Sequence, residues 1–427
     1  MNISYLSKND RSLAQHFERF SATALVVGGG SSGLYLSSLF QQSDFDYCLL
    51  EASETIGGRM SPDPNYVVCL DANKQLLFSH FIVPGLPLGA EQISRNHELV
   101  NKLVSEHNLT IRKNSMPYRP FIVTREGLNW RKLDEPNTDL VLRALCILEN
   151  GSDRDKVANY AILSEYWDTK GFYKNGFGEY LIDPNDVVAV LYSQVDKNRV
   201  HLSKRVLAVE RRHLGYKVTG HDFEADCKYV IFALPPWQLL NIDLPPDVTA
   251  LIEKLAKHLY PTTWPAKFVV ILENSDKEIL PQGYSEFLLV DDEFCAQVWI
   301  PQKERLGKHC LLSGVIAPID VSMLPKYELA CDWFDKLGEF FGARNLKVKE
   351  FVVYFVASHH KGAYPHYPGD QTFHSQVEPI LAALNNKNMF FVGGSYDRDD
   401  FGNLSAGFNS AQRVFEQILG TSFRGCM

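Results

Sequence analysis

TALVVGGGSSGLYLSSLFQQSDFDYCLLE, residues 23–51, decides the fold. Its first five residues are an apolar run, as a buried parallel strand requires. GGGSSG follows at once, and LYLSSLFQQ then repeats its apolar residues at helical spacing. A second apolar run, DYCLLE, ends in an acid. Strand, loop, helix and strand make a βαβ unit of about 30 residues.

Gly28, Gly30 and Gly33 satisfy the pattern GxGxxG at the strand-to-helix turn, with Ser32 in the same loop. The first glycine permits a tight turn and the second lets backbone approach a diphosphate. The third allows close packing of helix on strand. The helix N-terminus adds unpaired N–H donors and partial positive charge. Glu51, 18 residues past Gly33, ends the second strand, where an acid suits a ribose hydroxyl. The chain is therefore expected to bind a dinucleotide.

Seven residues beyond that acid, ETIGGRM brings Gly58 and Arg59. Glu51 and Ala52 followed by this second glycine–arginine loop resemble the flavin amine oxidase superfamily. That superfamily includes monoamine and polyamine oxidases, L-amino-acid oxidases and protoporphyrinogen oxidase. In it the arginine lies along the FAD diphosphate and neutralises it with a planar fork of donors. A nicotinamide dehydrogenase does not need the loop. The resemblance implies FAD and an α/β chain of two domains. One is a glutathione-reductase-like Rossmann domain for FAD, and the other a substrate domain of mixed sheet plus helices.

Further stretches carry the resemblance over almost the whole chain. LGAEQI at 88–93 is similar to the segment that passes the flavin ring, and it places Glu91 and Gln92 in the substrate pocket. RVLAV at 205–209 resembles the segment whose valine backbone, here Val206, meets the adenine. ADCKYVIFALPP at 225–236 resembles a strand and turn that touch the cofactor. The C-terminal NMFFVGGSYDRDDFGNLSAGFNSAQRV resembles the strand, loop and helix that close over the flavin. Its helix, starting at Leu404, would stabilise negative charge on the reduced ring, with Asn403 also suited to an N-cap. Lys267, in WPAKFVVIL, stands where the superfamily often carries a lysine bonded to a water beside flavin N5. GAYPHYPG at 362–369 resembles a cage loop, with Tyr364 as one aromatic wall. Ala363 replaces the cysteine that tethers FAD in monoamine oxidases, so the cofactor is expected to be non-covalent. His359, His360 and His366 are expected to be polar surface.

Some positions depart from the pattern. Gln92 stands where many L-amino-acid oxidases clamp the substrate carboxylate with arginine, a task that falls to Arg95 or to no residue. Glu91 could attract a cationic amine or face solvent. Ser395 replaces an acid that grips the ribityl–phosphate region. Asn403 replaces an aromatic residue, so the second cage wall is missing. FGEYLI at 177–182 and the ALPP turn are similar to bacterial tryptophan oxidases, which keeps amino acids open beside amines.

The expected reaction is oxidation of a C–N bond, with hydride passing to N5, imine hydrolysis, and oxygen reduced to hydrogen peroxide. A flavin desaturase or dehydrogenase acting on C–C bonds, or a non-catalytic flavin-binding scaffold, is the alternative.

With 427 residues the chain has room for two domains. The FAD domain is expected from 1–78, 190–246 and 375–427, and the substrate domain from 79–189 and 247–374. Hydrophobic and charged contents of 45% and 22% suit a soluble globular protein. The net charge of -8 offers no basic excess to neutralise nucleic acid. Eight cysteines, at 48, 69, 146, 227, 295, 310, 331 and 426, are scattered without zinc-binding spacing. No run approaches the ~20 apolar residues of a membrane span, and the polar start lacks the apolar core of a leader. A cytoplasmic monomer or homodimer is expected. Residues 91–165 are expected to be mainly helical with an interruption around 114–138, and 205–220 to form one strand before a hairpin turn at Gly220–Asp222.

Overall fold

The computed structural model describes residues 17–78, 85–113, 121–126, 129–132, 144, 148, 180–259, 265–273, 286–291, 294–301, 305–318, 326–360, 362, 368 and 370–424. The fold is α/β, as expected, and is organised on two large sheets. The first starts from β1 (Glu18–Val27), which runs into α1 (Ser31–Gln42) and β2 (Tyr47–Leu50). β1 pairs in parallel with β2 on one side and with Phe223–Phe232 on the other. Val200–His201 extends the parallel set beyond β2, and Met389–Phe391 joins beyond Phe223–Phe232. The chain thus leaves β1 in one direction and returns on the other side. That reversal opens a crevice at the strand's carboxyl end, where ligands of such sheets bind.

Both faces of this sheet are covered, which is why its strands read as unbroken apolar runs. Leu25 and Val27 pack with Leu50, Phe232, Ile252 and Leu255. Ala24 and Val26 face the opposite way, toward Leu34, Val187, Leu191 and Phe408. The helix Leu404–Arg424 lies against α1, with Tyr35 and Phe408 stacked at 4.2 Å.

Residues 205–220 are not one strand. They fold into Ala208–Arg212 and Gly215–Thr219, joined by a turn at His213 and Leu214. Gly215 has φ +147°, and a Cβ there would strike the carbonyl of Cys227, so the chain turns at this glycine. The hairpin turn after Thr219 lies where it is expected, closed by Gly220 N–H donating to the Phe223 carbonyl.

The second sheet runs Val67–Asp71, Val348–Tyr354, Ala266–Leu272, His309–Pro318, Phe294–Trp299, Glu286–Val290, Phe121–Glu126 and Asn129–Lys132. The last two strands fall in the interruption expected around 114–138 of the helical stretch 91–165. Within it the helix Glu98–Glu106 forms, while Phe121–Glu126 pairs in parallel with Glu286–Val290. That partner lies more than 160 residues away in sequence, so the pairing leaves no local signal beyond the break in helical spacing.

One face of this sheet is apolar. Phe268, Val270, Phe287, Val298, Leu312 and Phe351 pack against Trp333, Leu337, Phe340 and Phe341 of the helix Lys326–Gly342. The other face carries the polar groups described next. Among the described residues no helix is long and apolar enough to cross a membrane.

Candidate functional site

The loop after β1 is a cradle built from glycine backbone. Gly28 has φ +112°, and a Cβ on Gly33 would lie 2.0 Å from the Gly28 carbonyl oxygen. Gly30 N-caps α1 without a side-chain hydrogen bond, and no acid occupies the first turn. The helix end is therefore bare and electropositive. A Cβ on Gly30 would meet nothing nearer than the Gly58 Cα at 4.0 Å, so one side of the loop is open. Gly57 N–H donates to the Gly29 carbonyl at 2.8 Å, which joins the GGR loop to the cradle.

Glu51 sits where the sequence puts it, at the end of β2. Its carboxylate accepts the amides of Gly29 at 2.6 Å and Ser53 at 2.8 Å. Each oxygen keeps lone-pair capacity for a further donor. Ser203 and Lys204 donate their amides to the carbonyls of Ser53 and Glu51, which draws the segment holding buried Val206 alongside Ala52. Gly407 would touch the Ser32 hydroxyl if it bore a Cβ, so the start of the Leu404 helix meets the start of α1. Ser395 is buried nearby, and Gly402 N–H donates to the Gly394 carbonyl at 2.8 Å. Asn403 accepts the Gly407 amide at 3.4 Å through its carbonyl, as an N-cap residue does. The cradle residues chosen from sequence thus converge.

Arg59 is half-buried, and its charge bears on Tyr354, His360 and Tyr396. Beside it Met60 packs against Gly89 so closely that a Cβ on Gly89 would lie 2.4 Å from the Met60 carbonyl oxygen. This contact carries the chain from the cradle to Glu91 and Gln92.

The polar face of the second sheet receives Glu91. Direct cross-strand partners share a face, so the registers give a row Ile122, Leu288, Gln297, Val315, Lys267, Tyr354, Val67. The adjacent row is Glu286, Trp299, Ser313, Val269, Val352, Cys69. Lys267 Nζ lies 2.5 Å from Glu91 Oε2, with the two side chains 7% and 0% exposed. Ser313 Oγ and Trp299 Nε1 donate to the same oxygen at 2.6 and 3.1 Å. The lysine also stands 3.9 Å from the centroid of the Trp299 ring. Burial pushes the Glu91 carboxyl up, opposed by Lys267, and pushes the Lys267 ammonium down, opposed by Glu91. Glu91 Oε1 and Gln92 Nε2 are buried and find no hydrogen-bond partner among the described residues.

Glu91 does not face solvent. Its first bond is to Lys267, a pairing that the sequence does not announce. Ser313, Trp299, Gln297 and Glu286 are absent from the sequence reading of the site. The available signal was a polar residue at alternate positions of strands otherwise wholly buried, in EFLLV, FCAQVW and HCLLSG.

His359 and His360 are not polar surface. Tyr354 Oη lies 2.7 Å from His359 Nδ1 and 3.1 Å from His360 Nε2, and His359 stacks on Tyr66 at 4.5 Å. The His360 carbonyl accepts Trp237 Nε1 and Gln238 Nε2. Burial holds both imidazoles below the ordinary range, His360 far below it. Tyr364, Ala363 and His366 lie outside the described residues.

Compared with known proteins, residues 129–419 match the family described as flavin containing amine oxidoreductase, and residues 26–73 match an NAD(P)-binding Rossmann-like domain. Against proteins of curated function the chain has no significant sequence match. Its fold is similar to cyclohexylamine oxidase from Brevibacterium oxydans IH-35A, at TM-score 0.68 and 15% identity over 93% of this chain and 98% of that one. Putrescine oxidase bound to putrescine gives 0.62 and 12% over 94% and 100%. A protoporphyrinogen-oxidase-like protein from Exiguobacterium sp. 255-15 gives 0.63 and 14% over 94% and 98%. At such identities the likeness is one of fold.

Proposed function

The chain belongs to the flavin-containing amine oxidoreductase family, and on that premise we propose that it oxidises the C–N bond of a small amine or amino acid. It is an FAD-dependent oxidoreductase, and its cradle fits the cofactor. The bare α1 terminus and open Gly30 face suit a diphosphate, Arg59 adds a cation beside it, and Glu51 retains acceptor capacity for a ribose. Bound FAD supplies the hydride acceptor and passes the electrons to oxygen, giving hydrogen peroxide.

One observation carries the reading of the substrate. Glu91 Oε1 and, at the next residue, Gln92 Nε2 are a buried acceptor and a buried donor without partners among the described residues, and Glu91 is also the acid of the Lys267 ion pair. An unmet buried polar atom costs about 1–3 kcal/mol. A ligand that both donates and accepts hydrogen bonds, as an amine or amino acid does, meets that need. Val315, Val269, Leu88 and Trp299 are buried as well, and Trp299 donates to the Glu91 carboxylate. Lys267 supplies a fixed positive charge where negative charge on oxygen develops.

The test is anaerobic titration of the yellow holoprotein with a panel of amines and amino acids, followed by admission of air. Bleaching by a C–N substrate and one equivalent of peroxide on reoxidation are expected. Bleaching by an enone precursor but by no amine would move the chain to C–C chemistry. Absence of bleaching by either would leave only a flavin-binding scaffold.

A further inference from the structure

Lys267 reaches across the polar face of the second sheet to a residue 176 positions earlier in the chain. The bond is short, and its acceptor is an oxygen that also takes Ser313 Oγ and Trp299 Nε1. Three donors on one oxygen draw the carboxylate's charge to that atom, and an ammonium and a hydroxyl on a carboxylate make charge-assisted bonds. Trp299 closes the arrangement from the side, because the ammonium stands 3.9 Å from its ring centroid while its Nε1 holds the acid.

We infer that Glu91 is a positioning residue for Lys267: it keeps the buried side chain in its ammonium form and fixes the direction of that charge. The lysine then works as a stationary cation, not as an amine that trades protons. This rests on the reading of Lys267 given above.

A lysine with 7% of its side chain exposed cannot keep its charge by hydration. Besides Lys267, the registers place Tyr354, Glu286, Cys69, Cys295, His309, Glu350 and Asp71 on this face, and among the described residues none of them is bonded to the ammonium. Glu286 Oε1 accepts from Gln297, and the Tyr354 hydroxyl turns to His359 and His360. Among the described residues Glu91 is thus the acid bonded to the ammonium. A glutamine at 91 would still accept a hydrogen bond but would bring no charge, so burial would then favour the neutral amine.

The experiment compares wild type with Glu91→Gln, Glu91→Asp and Glu91→Gln/Lys267→Met. The reduced holoprotein, prepared with dithionite so that no substrate is needed, is mixed with oxygen from pH 6 to 9. Wild type is expected to reoxidise at a rate varying less than twofold. Glu91→Gln is expected to slow at least tenfold between pH 6 and 9, as its lysine loses the proton. Glu91→Asp keeps the charge but withdraws the ammonium, so its rate falls while its pH profile stays flat. In the apoprotein, the fluorescence difference between each variant and its Trp299→Phe partner should titrate below pH 9 for Glu91→Gln alone.

Identical reoxidation profiles for wild type and Glu91→Gln, with no fluorescence titration, would overturn the inference and leave the oxidase reading intact. If no amine reduces wild type but the fluorescence titration appears, the oxidase reading falls and the ion pair stands. Should Glu91→Gln not fold, the double variant decides. Recovery of folding together with the flat, slowed Glu91→Asp profile supports the inference. No recovery, with Glu91→Asp indistinguishable from wild type, overturns it.

Discussion

Lys267 and Tyr354 are direct cross-strand partners on one face of the second sheet, yet their polar ends diverge. The ammonium goes to Glu91 and the phenol to His359 and His360. One row of the sheet therefore serves two networks, one toward the 86–93 segment and one toward Asp63 and Arg59. The second network has a direction. A phenol donates one proton, so one of the two histidines must donate an N–H to the Tyr354 oxygen.

That network sets a pH dependence. Burial, then His359 and then Arg59, hold the His360 imidazole well below its ordinary value. A depressed imidazole leaves the unfolded chain binding more protons in the window below about pH 6.5. Its contribution to stability is complete above that pH and is lost as pH falls toward the folded value. For one proton the slope is about 1.4 kcal/mol per pH unit. Urea midpoints measured from pH 8 to 5 should fall for wild type and fall less for His360→Gln. Equal slopes in the two proteins would refute the assignment.

The cradle glycines should separate folding from cofactor binding. Gly33→Ala drives a methyl into the Gly28 carbonyl, an overlap of backbone atoms that should cost about 1–3 kcal/mol or more. Gly30→Ala places its methyl in open space at an ordinary backbone φ of -71°. Its apoprotein should melt as wild type does, while FAD affinity drops tenfold or more, about 1.4 kcal/mol. Melting of the apoprotein and quenching of FAD fluorescence on titration measure the two effects. Undiminished FAD affinity in Gly30→Ala would place the diphosphate elsewhere.

Lys267→Met removes the cation from a wholly buried carboxylate. Breaking a buried pair from one side costs about 3–5 kcal/mol, so the single variant should denature at distinctly lower urea. Adding Glu91→Gln should restore much of that loss. In the flavin reaction, Lys267→Met should slow reoxidation by on the order of 10²-fold and affect reduction less. Stopped-flow traces of the two half-reactions would show this. Equal effects on both would remove Lys267 from the oxygen step.

Ala363 cannot form a thioether. Precipitating the holoprotein in acid should therefore leave all yellow colour in the supernatant. Flavin retained in the pellet after washing would contradict a non-covalent cofactor.

The cradle was legible because its parts are close in sequence. Glycines at fixed offsets, a bare helix start and an acid at the end of the next strand interact within 23–59. Local backbone geometry alone then implies their arrangement. At 121–132 only a break in the helical pattern was legible, for the opposite reason, since the pairing of Phe121–Glu126 with Glu286–Val290 is a distant event. The histidines at 359 and 360 looked like surface because polarity was their only local signal. Their burial comes from Tyr66 and Tyr354, and the backbone anchor from Trp237 and Gln238.

By itself, then, the sequence determined a dinucleotide cradle, its family resemblance and a flavin-dependent oxidoreductase. Tertiary structure alone decided that Glu91 meets Lys267, Trp299 and Ser313, which lie 176, 208 and 222 residues away. Those contacts depend on strand register. A shift of one residue would turn each of these side chains to the other face of the sheet, and no local pattern fixes register between strands so far apart.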